Sequence, residues 1–137
     1  MRTEILDEDK DVIVVYKPAG IATQSADIRQ GDVVSELKNY LCRAGKAPIA
    51  AGKEPYLGII HRLDQPVEGL LVFSKRQKGA AELSRQLREG VLCKRYYAVL
   101  CGWPREREGE LTDTLWRDAG SRTGAASRTK EAGPAGQ

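Results

Sequence analysis

Two short apolar runs, Val12 to Tyr16 and Leu70 to Ser74, do most to limit what this chain can fold into. Each is too short for a core helix and rich in β-branched or aromatic residues. Each therefore reads as a strand, and an unbroken run is what a strand buried on both faces shows. Elsewhere the apolar spacing changes to three and four. From Asp32, a good N-cap, Val34, Leu37 and Leu41 predict a helix of about three turns ending near Arg43 and Gly45. A second helix is expected over Lys78 to Glu89. It carries Ala80, Leu83, Ser84 and Leu87 on one face and Lys78, Glu82 and Arg85 opposite, with Gly90 as the stop.

The remaining segments fill in around these elements. Thr3 to Leu6 predicts a strand ahead of the polar turn Asp7 to Asp11, and Pro18 and Gly20 break the chain after the first apolar run. Ala44 to Pro55 reads as a loop. Val91 to Leu100 alternates as a strand with two distinct faces, and Glu110 to Leu115 predicts another after a turn around Trp103, Pro104 and Gly109. Beyond Arg117 the chain is Gly, Ala, Ser, Thr and Arg without apolar period, too polar to offset its ordering entropy. Residues 1 to 117 are thus expected to fold, with 118 to 137 a disordered tail.

At 137 residues the chain is long enough for one domain, and an apolar share of 41% is ordinary for a soluble globular protein. No stretch approaches the roughly 18 apolar residues of a membrane span, and Met1 to Glu4 lacks a signal-peptide apolar region, which predicts a cytoplasmic protein. Cys42, Cys93 and Cys101 lie far apart with no CxxC pair, so reduced, partly buried thiols are expected rather than disulfides or a zinc site. Of the net charge of +3, the segment from Arg117 onward holds +2, through Arg117, Arg122, Arg128 and Lys130 against Asp118 and Glu131. Bulk charge is therefore weak support for a nucleic-acid partner, and any such surface must come from local clustering. The densest basic stretch is Arg76, Lys78, Arg85, Arg88, Lys94 and Arg95, which suits phosphates. Glu82 and Glu89 share the helix face with Lys78 and Arg85, so a solvated, salt-bridged face is the competing reading.

The chemistry concentrates in His61-Arg62-Leu63-Asp64, followed by Gly69-Leu70-Leu71-Val72 and closed by Lys75. A carboxylate held beside a packed apolar run can serve as nucleophile or general base, as sugar-to-base bond cleavage requires. In an extended stretch Arg62 and Asp64 leave the same side of the backbone, and His61 leaves the other. A planar guanidinium there can fill the space of a flipped base or clamp a phosphate, or it can pair with Asp64. His61 suits a hydrogen-bonded scaffold better than a base. In the segment from Val91, Lys94, Tyr96 and Ala98 share one face while Arg95, Tyr97 and Val99 share the other, so only one tyrosine can face a site. Lys17-Pro18-Ala19-Gly20 is a rigid turn directly after a buried strand, from which Lys17 can reach a loop-lined cleft.

The segment from His61 to Lys75 resembles the catalytic segment of the RluA-type RNA pseudouridine synthases, whose pattern is HRLD, four residues, GLL, then an apolar stretch ending in Lys. Lys17 to Gly20 upstream, and Lys94 to Ala98 with Gly102 downstream, match the same family in the same order, so the resemblance spans roughly residues 3 to 117. It departs at Val67 and Glu68, where the family more often carries a small hydroxyl residue.

The resemblance implies an α+β fold, a mixed, largely antiparallel sheet flanked by helices, and an enzyme that isomerises uridines in structured ribosomal or transfer RNA. It implies RNA as partner, not DNA or a membrane, and no metal or organic cofactor. It assigns Asp64 as the catalytic carboxylate, open to attack at C6 of uracil, attack at C1′ or removal of a sugar proton. It assigns Tyr96 to stack on the base and take a proton, and Arg62, by its spacing from Asp64, is expected beside them as a catalytic residue. His61, Lys17 and Lys94 are expected on the substrate side. The family continues into further strands and a motif whose basic residue pairs with the catalytic Asp, and no counterpart follows Trp116. The chain therefore reads as an N-terminal portion, poorly active alone, and a non-catalytic RNA-binding fragment is the alternative. A paired-carboxylate glycosidase is weaker, because no second carboxylate lies in a motif of its own.

Overall fold

The computed structural model describes residues 1–27, 29–45, 54–110, 112, 114–116 and 125–127. They fall into two units, Met1–Arg95 and Tyr96–Gln137.

The first unit is built on a four-stranded antiparallel sheet. Its strands are β1 (Glu4–Glu8), β2 (Val12–Lys17), β3 (Gly58–Ile59) and β4 (Gly69–Ser74), in the order β1-β2-β4-β3. The two apolar runs are the central pair, with Val15 opposite Leu71 and Ile13 opposite Phe73. Asp9 closes the β1–β2 turn by accepting from the amides of Asp11 and Val12 at 2.7 and 2.6 Å, which holds its carboxyl below the usual range.

Helix α1 (Val33–Arg43) begins at Asp32 as expected. One Asp32 carboxylate oxygen accepts from Ser35 N and the other from Ser25 N, both at 2.7 Å, so the cap also ties down the incoming loop. Val33, Val34, Leu37 and Leu41 join Ile13, Val15, Leu71 and Phe73 in a single core. Helix α2 (Gln77–Arg88) ends in a Schellman motif. Val91 N donates to Gln86 O at 2.9 Å and Gly90 N to Leu87 O at 3.4 Å, and φ of +73° at Gly90 is the left-handed conformation that motif needs. A Cβ on Gly58 would stand 2.6 Å from Ala80 Cβ, so the helix rides directly on the β3 backbone.

Burial of the central strands is one-sided, contrary to the reading of strands buried on both faces. Ile13, Val15, Lys17, Leu71 and Phe73 have no exposed surface, whereas Val12, Val14, Tyr16 and Val72 are half-buried and Leu70 is exposed. On one face the apolar residues of α1 share the core with Ile21, Leu57 and Leu63. On the other, α2 meets the sheet near Gly58 and Ser74, and its own apolar residues Leu83 and Leu87 are only half-buried.

The strand expected over Val91 to Leu100 is absent: these residues carry no regular structure, and all but Leu92 are exposed. Alternation prepares a segment for a sheet edge, but no described strand hydrogen-bonds to it. Cys42, Cys93 and Cys101 are exposed thiols, not partly buried ones. In the second unit β5 (Thr114–Trp116) pairs antiparallel with β6 (Ala125–Ser127), Leu115 opposite Ala126. Of the strand expected over Glu110 to Leu115, Thr114 and Leu115 are in β5 while 111 and 113 lie outside the described residues, as do most of the expected tail and much of the loop expected over Ala44 to Pro55. Among the described residues no helix is long and apolar enough to cross a membrane.

Candidate active site

The segment between β3 and β4 carries His61 to Glu68 without a strand partner of its own; its burial alternates over His61 to Asp64, and Gln65 to Glu68 are all exposed. Leu63 is buried in the core and His61 half-buried, while Arg62 and Asp64 are exposed on the opposite side, as two-residue spacing requires. A turn follows at once, with Val67 N donating to Asp64 O at 3.0 Å.

The backbone around Asp64 is held from a second segment, the turn after β2. Gly20 N donates to Gln65 O at 2.8 Å, and the Gln65 side-chain amide returns a bond to Gly20 O at 3.3 Å. Thr23, 3% exposed, donates its hydroxyl to Leu63 O at 2.8 Å and accepts from Leu63 N at 3.1 Å. Arg62 donates from one terminal nitrogen to Gln24 Oε1 at 3.1 Å, and no ion pair joins it to Asp64.

Lys17 departs from the expectation that it reaches a cleft. The β2 alternation points it into the core, where it has no exposed surface. Its ammonium donates to the carbonyls of Ile21 at 2.7 Å, Pro18 at 3.2 Å and Gln65 at 3.2 Å, which uses all three of its donors. Burial pushes its pKa below the ordinary lysine value, and the negative charge of Asp64 pulls the other way. Lys17 is thereby a buried cation beneath the Asp64 turn, not a side chain available to a substrate.

His61 is held below the usual histidine range, first by burial and then by the positive charge of Lys94, both of which favour its neutral form. Its Nδ1 is buried with no hydrogen-bond partner among the described residues. Lys94 itself is exposed. Tyr96 opens the second unit and is 60% exposed, while Tyr97 is fully exposed. The first unit thus brings Asp64, Arg62, His61, Lys17 and Lys94 into one body, and Tyr96 belongs to the other.

Glu68, at one of the positions that depart from the family pattern, hydrogen-bonds the Tyr16 hydroxyl and raises its pKa. On α2, the salt-bridged reading of the basic stretch describes Arg85, which pairs with Glu82 at 2.6 Å and with Glu89. The bonds from Arg85 and then from the Gln86 side-chain amide hold Glu82 down to about 2. Arg76 pairs with Asp11 at 3.1 Å. Lys75, which closes the family segment, pairs with Glu8 at 2.9 Å with both side chains nearly buried, and Tyr40 donates to the same carboxylate at 2.8 Å. Its role here is to tie β1, α1 and β4 together.

Sequence reasoning missed Thr23 and Gln24. Nothing in a Thr-Gln pair within a turn distinguishes hydroxyl and amide groups that satisfy their own loop from ones that reach across 40 residues.

A sequence model of the family described as RNA pseudouridylate synthase matches residues 11–135. RNA pseudouridine synthase YhcT of Bacillus subtilis is 31% identical over 115 residues, covering 84% of this chain and 36% of its own length. Ribosomal large subunit pseudouridine synthase C of Rickettsia bellii is 32% identical over 83% of this chain and 35% of its own. Ribosomal large subunit pseudouridine synthase D of Zymomonas mobilis is 31% identical over 87% and 37%. The chain therefore spans little more than a third of the length of these relatives. Among solved structures, human RNA pseudouridylate synthase domain containing 4 overlays on 63% of this chain and 30% of its own, with a TM-score of 0.49 and 23% identity.

Proposed function

Because the chain belongs to the RNA pseudouridylate synthase family, we propose that it supplies the catalytic carboxylate of an enzyme that isomerises uridine to pseudouridine in cytoplasmic ribosomal RNA. The names of its relatives favour ribosomal over transfer RNA. The observation that carries the reading is Asp64: an exposed carboxylate, without a hydrogen bond among the described residues, on a turn fixed by bonds to the residues on either side of it.

The reaction breaks the N1–C1′ bond, turns the uracil and joins C5 to C1′. The C5 proton leaves and N1 gains one, so no oxidant, reductant or energy source enters. Asp64 meets the extruded nucleotide, because a base inside a duplex is out of its reach. Arg62, steadied by Gln24, fills the vacated stack or clamps a phosphate. Lys94 lies on the RNA side as a phosphate contact, and its charge disfavours protonation of His61, which supports the turn. Tyr96 stacks on the base and accepts the proton. Lys17 acts from beneath, on the Asp64 turn, rather than on RNA.

The test follows from the proton balance. An unmodified large-subunit ribosomal RNA transcript, tritiated at uridine C5, should lose tritium to water in the presence of the full protein, with pseudouridine appearing in equal amount. Retention of all the label on ribosomal and on transfer RNA transcripts would refute the reading.

The tyrosine assignment has its own expectation. Tyr96→Phe should slow turnover by about tenfold or more with RNA affinity unchanged, and Tyr97→Phe should change neither. Equal effects of the two substitutions in the tritium assay would show that the ring has been assigned wrongly.

A further inference from the structure

We propose that Thr23 is a positioning residue for Asp64, fixing through its two hydrogen bonds to Leu63 the main chain on which the carboxylate stands; the proposal rests on the reading of Asp64 as the catalytic group. The segment from Ile60 to Glu68 lies between strands and has no ladder to hold it. Thr23 provides what a neighbouring strand would have provided: one hydroxyl satisfies both the N–H and the C=O of the residue immediately before Asp64, at 3.1 and 2.8 Å. Both residues are buried, Thr23 at 3% and Leu63 at 9% exposure, so water does not compete for these groups.

Thr23 is itself immobilised. Its carbonyl accepts from Val34 N at 3.2 Å and that of Ala22 from Val33 N at 3.1 Å, both in the first turn of α1. The hydroxyl is therefore referenced to the helix and the core, not to a free loop. On the far side of Asp64, Gln65 O accepts from Gly20 N and from the Lys17 ammonium. Residues 63 and 65 are pinned while the carboxylate between them has no hydrogen bond among the described residues, which is how a reacting group is kept both available and in register. The side chain next to Thr23, Gln24, holds Arg62. One short turn thus sets the main chain of residue 63 and the side chain of residue 62.

A purely structural Thr23 would lower stability when replaced and leave the chemistry of the folded fraction alone. A positioning Thr23 slows the chemical step without weakening RNA binding, because the groups facing RNA are untouched. Thr23→Val keeps the shape and deletes both bonds, and Thr23→Ser keeps the hydroxyl. In the full protein, single-turnover tritium release from the 5-tritiated ribosomal RNA transcript and the Kd for the same RNA separate the two roles. The Val variant should react about tenfold slower or worse with Kd within about twofold, and its Leu63 amide should exchange faster. The Ser variant should react within about threefold of the parent rate.

The proposal is overturned if folded Thr23→Val reacts at the parent rate, if Ser is no better than Val, or if the whole loss lies in Kd. Should Thr23→Val not fold, Thr23→Cys, a weaker donor and acceptor of similar size, takes its place with the same expectations. Asp64→Asn runs beside these variants. Full activity there removes the assignment of Asp64 and this proposal with it, whereas an inactive Asp64→Asn with a fully active Thr23→Val removes the proposal alone.

Discussion

Asp64→Asn should abolish uridine isomerisation, by about a thousandfold or more, in a protein whose fold is nearly unchanged. The amide keeps the size of the side chain but can neither attack an electron-poor carbon nor accept a proton, so the chemical step loses its only carboxylate on this turn. The fold should tolerate the change because the turn is held by main-chain bonds through Leu63 and Gln65, and the Asp64 side chain is exposed. The one structural debt is electrostatic: Asp64 favours the charge on buried Lys17, an effect moderated by solvent around the exposed carboxylate. A loss below about 1 kcal/mol in a urea unfolding curve is expected beside the loss of tritium release. Near-parent turnover would end the assignment of Asp64.

Lys17→Met should destabilise the first unit by about 3 kcal/mol. Two effects oppose each other. Removing a buried ammonium relieves its desolvation, which favours the variant, and methionine follows the lysine stem through the core with little change in packing. Against this, the carbonyls of Pro18 and Ile21 lose the donor seen here, whereas Gln65 O keeps Gly20 N. A buried acceptor left unsatisfied costs about 1–3 kcal/mol, and two of them, with three charge-assisted bonds gone, outweigh the relief. The urea midpoint should fall with an unchanged slope. An equally stable or more stable variant would show that the ammonium's desolvation cancels its bonds, and that the turn after β2 is set by Pro18 and Gly20 instead.

Much of the scaffold is legible in the sequence because its signals are local. Asp32 caps α1 through its own side chain, the apolar period of Val34, Leu37 and Leu41 is the face α1 buries, and Gly90 ends α2 by its φ. The central strands are recognisable from their apolar runs, but the degree of burial on each face is not, since it depends on how far α2 extends over the sheet. Lys17 shows the limit clearly. Its position in the strand points it inward, yet a lysine suggests solvent or phosphate until the three carbonyls that receive it are known. The segment after Val91 failed in the opposite way: its alternation is a property of the chain, and a strand requires a partner as well. Thr23 and Gln24 were invisible because their meaning lies entirely in what stands opposite them in space.

The bonds that frame Asp64 join residues 40, 45 and 48 positions apart. Closing loops of that length costs entropy before any contact rewards it, and the turn has no short-range bonds of its own beyond Asp64 to Val67 that could hold it in the meantime. During synthesis, therefore, the residues after β2 emerge with their hydroxyl, amide and ammonium groups facing water, and they find their partners only when the HRLD segment and β4 have cleared the ribosome. The Asp64 carboxylate takes up the geometry described here in the same event that brings β4 onto β2. On the function proposed above, a nascent or partly folded chain would therefore lack the arrangement with which to modify RNA out of turn.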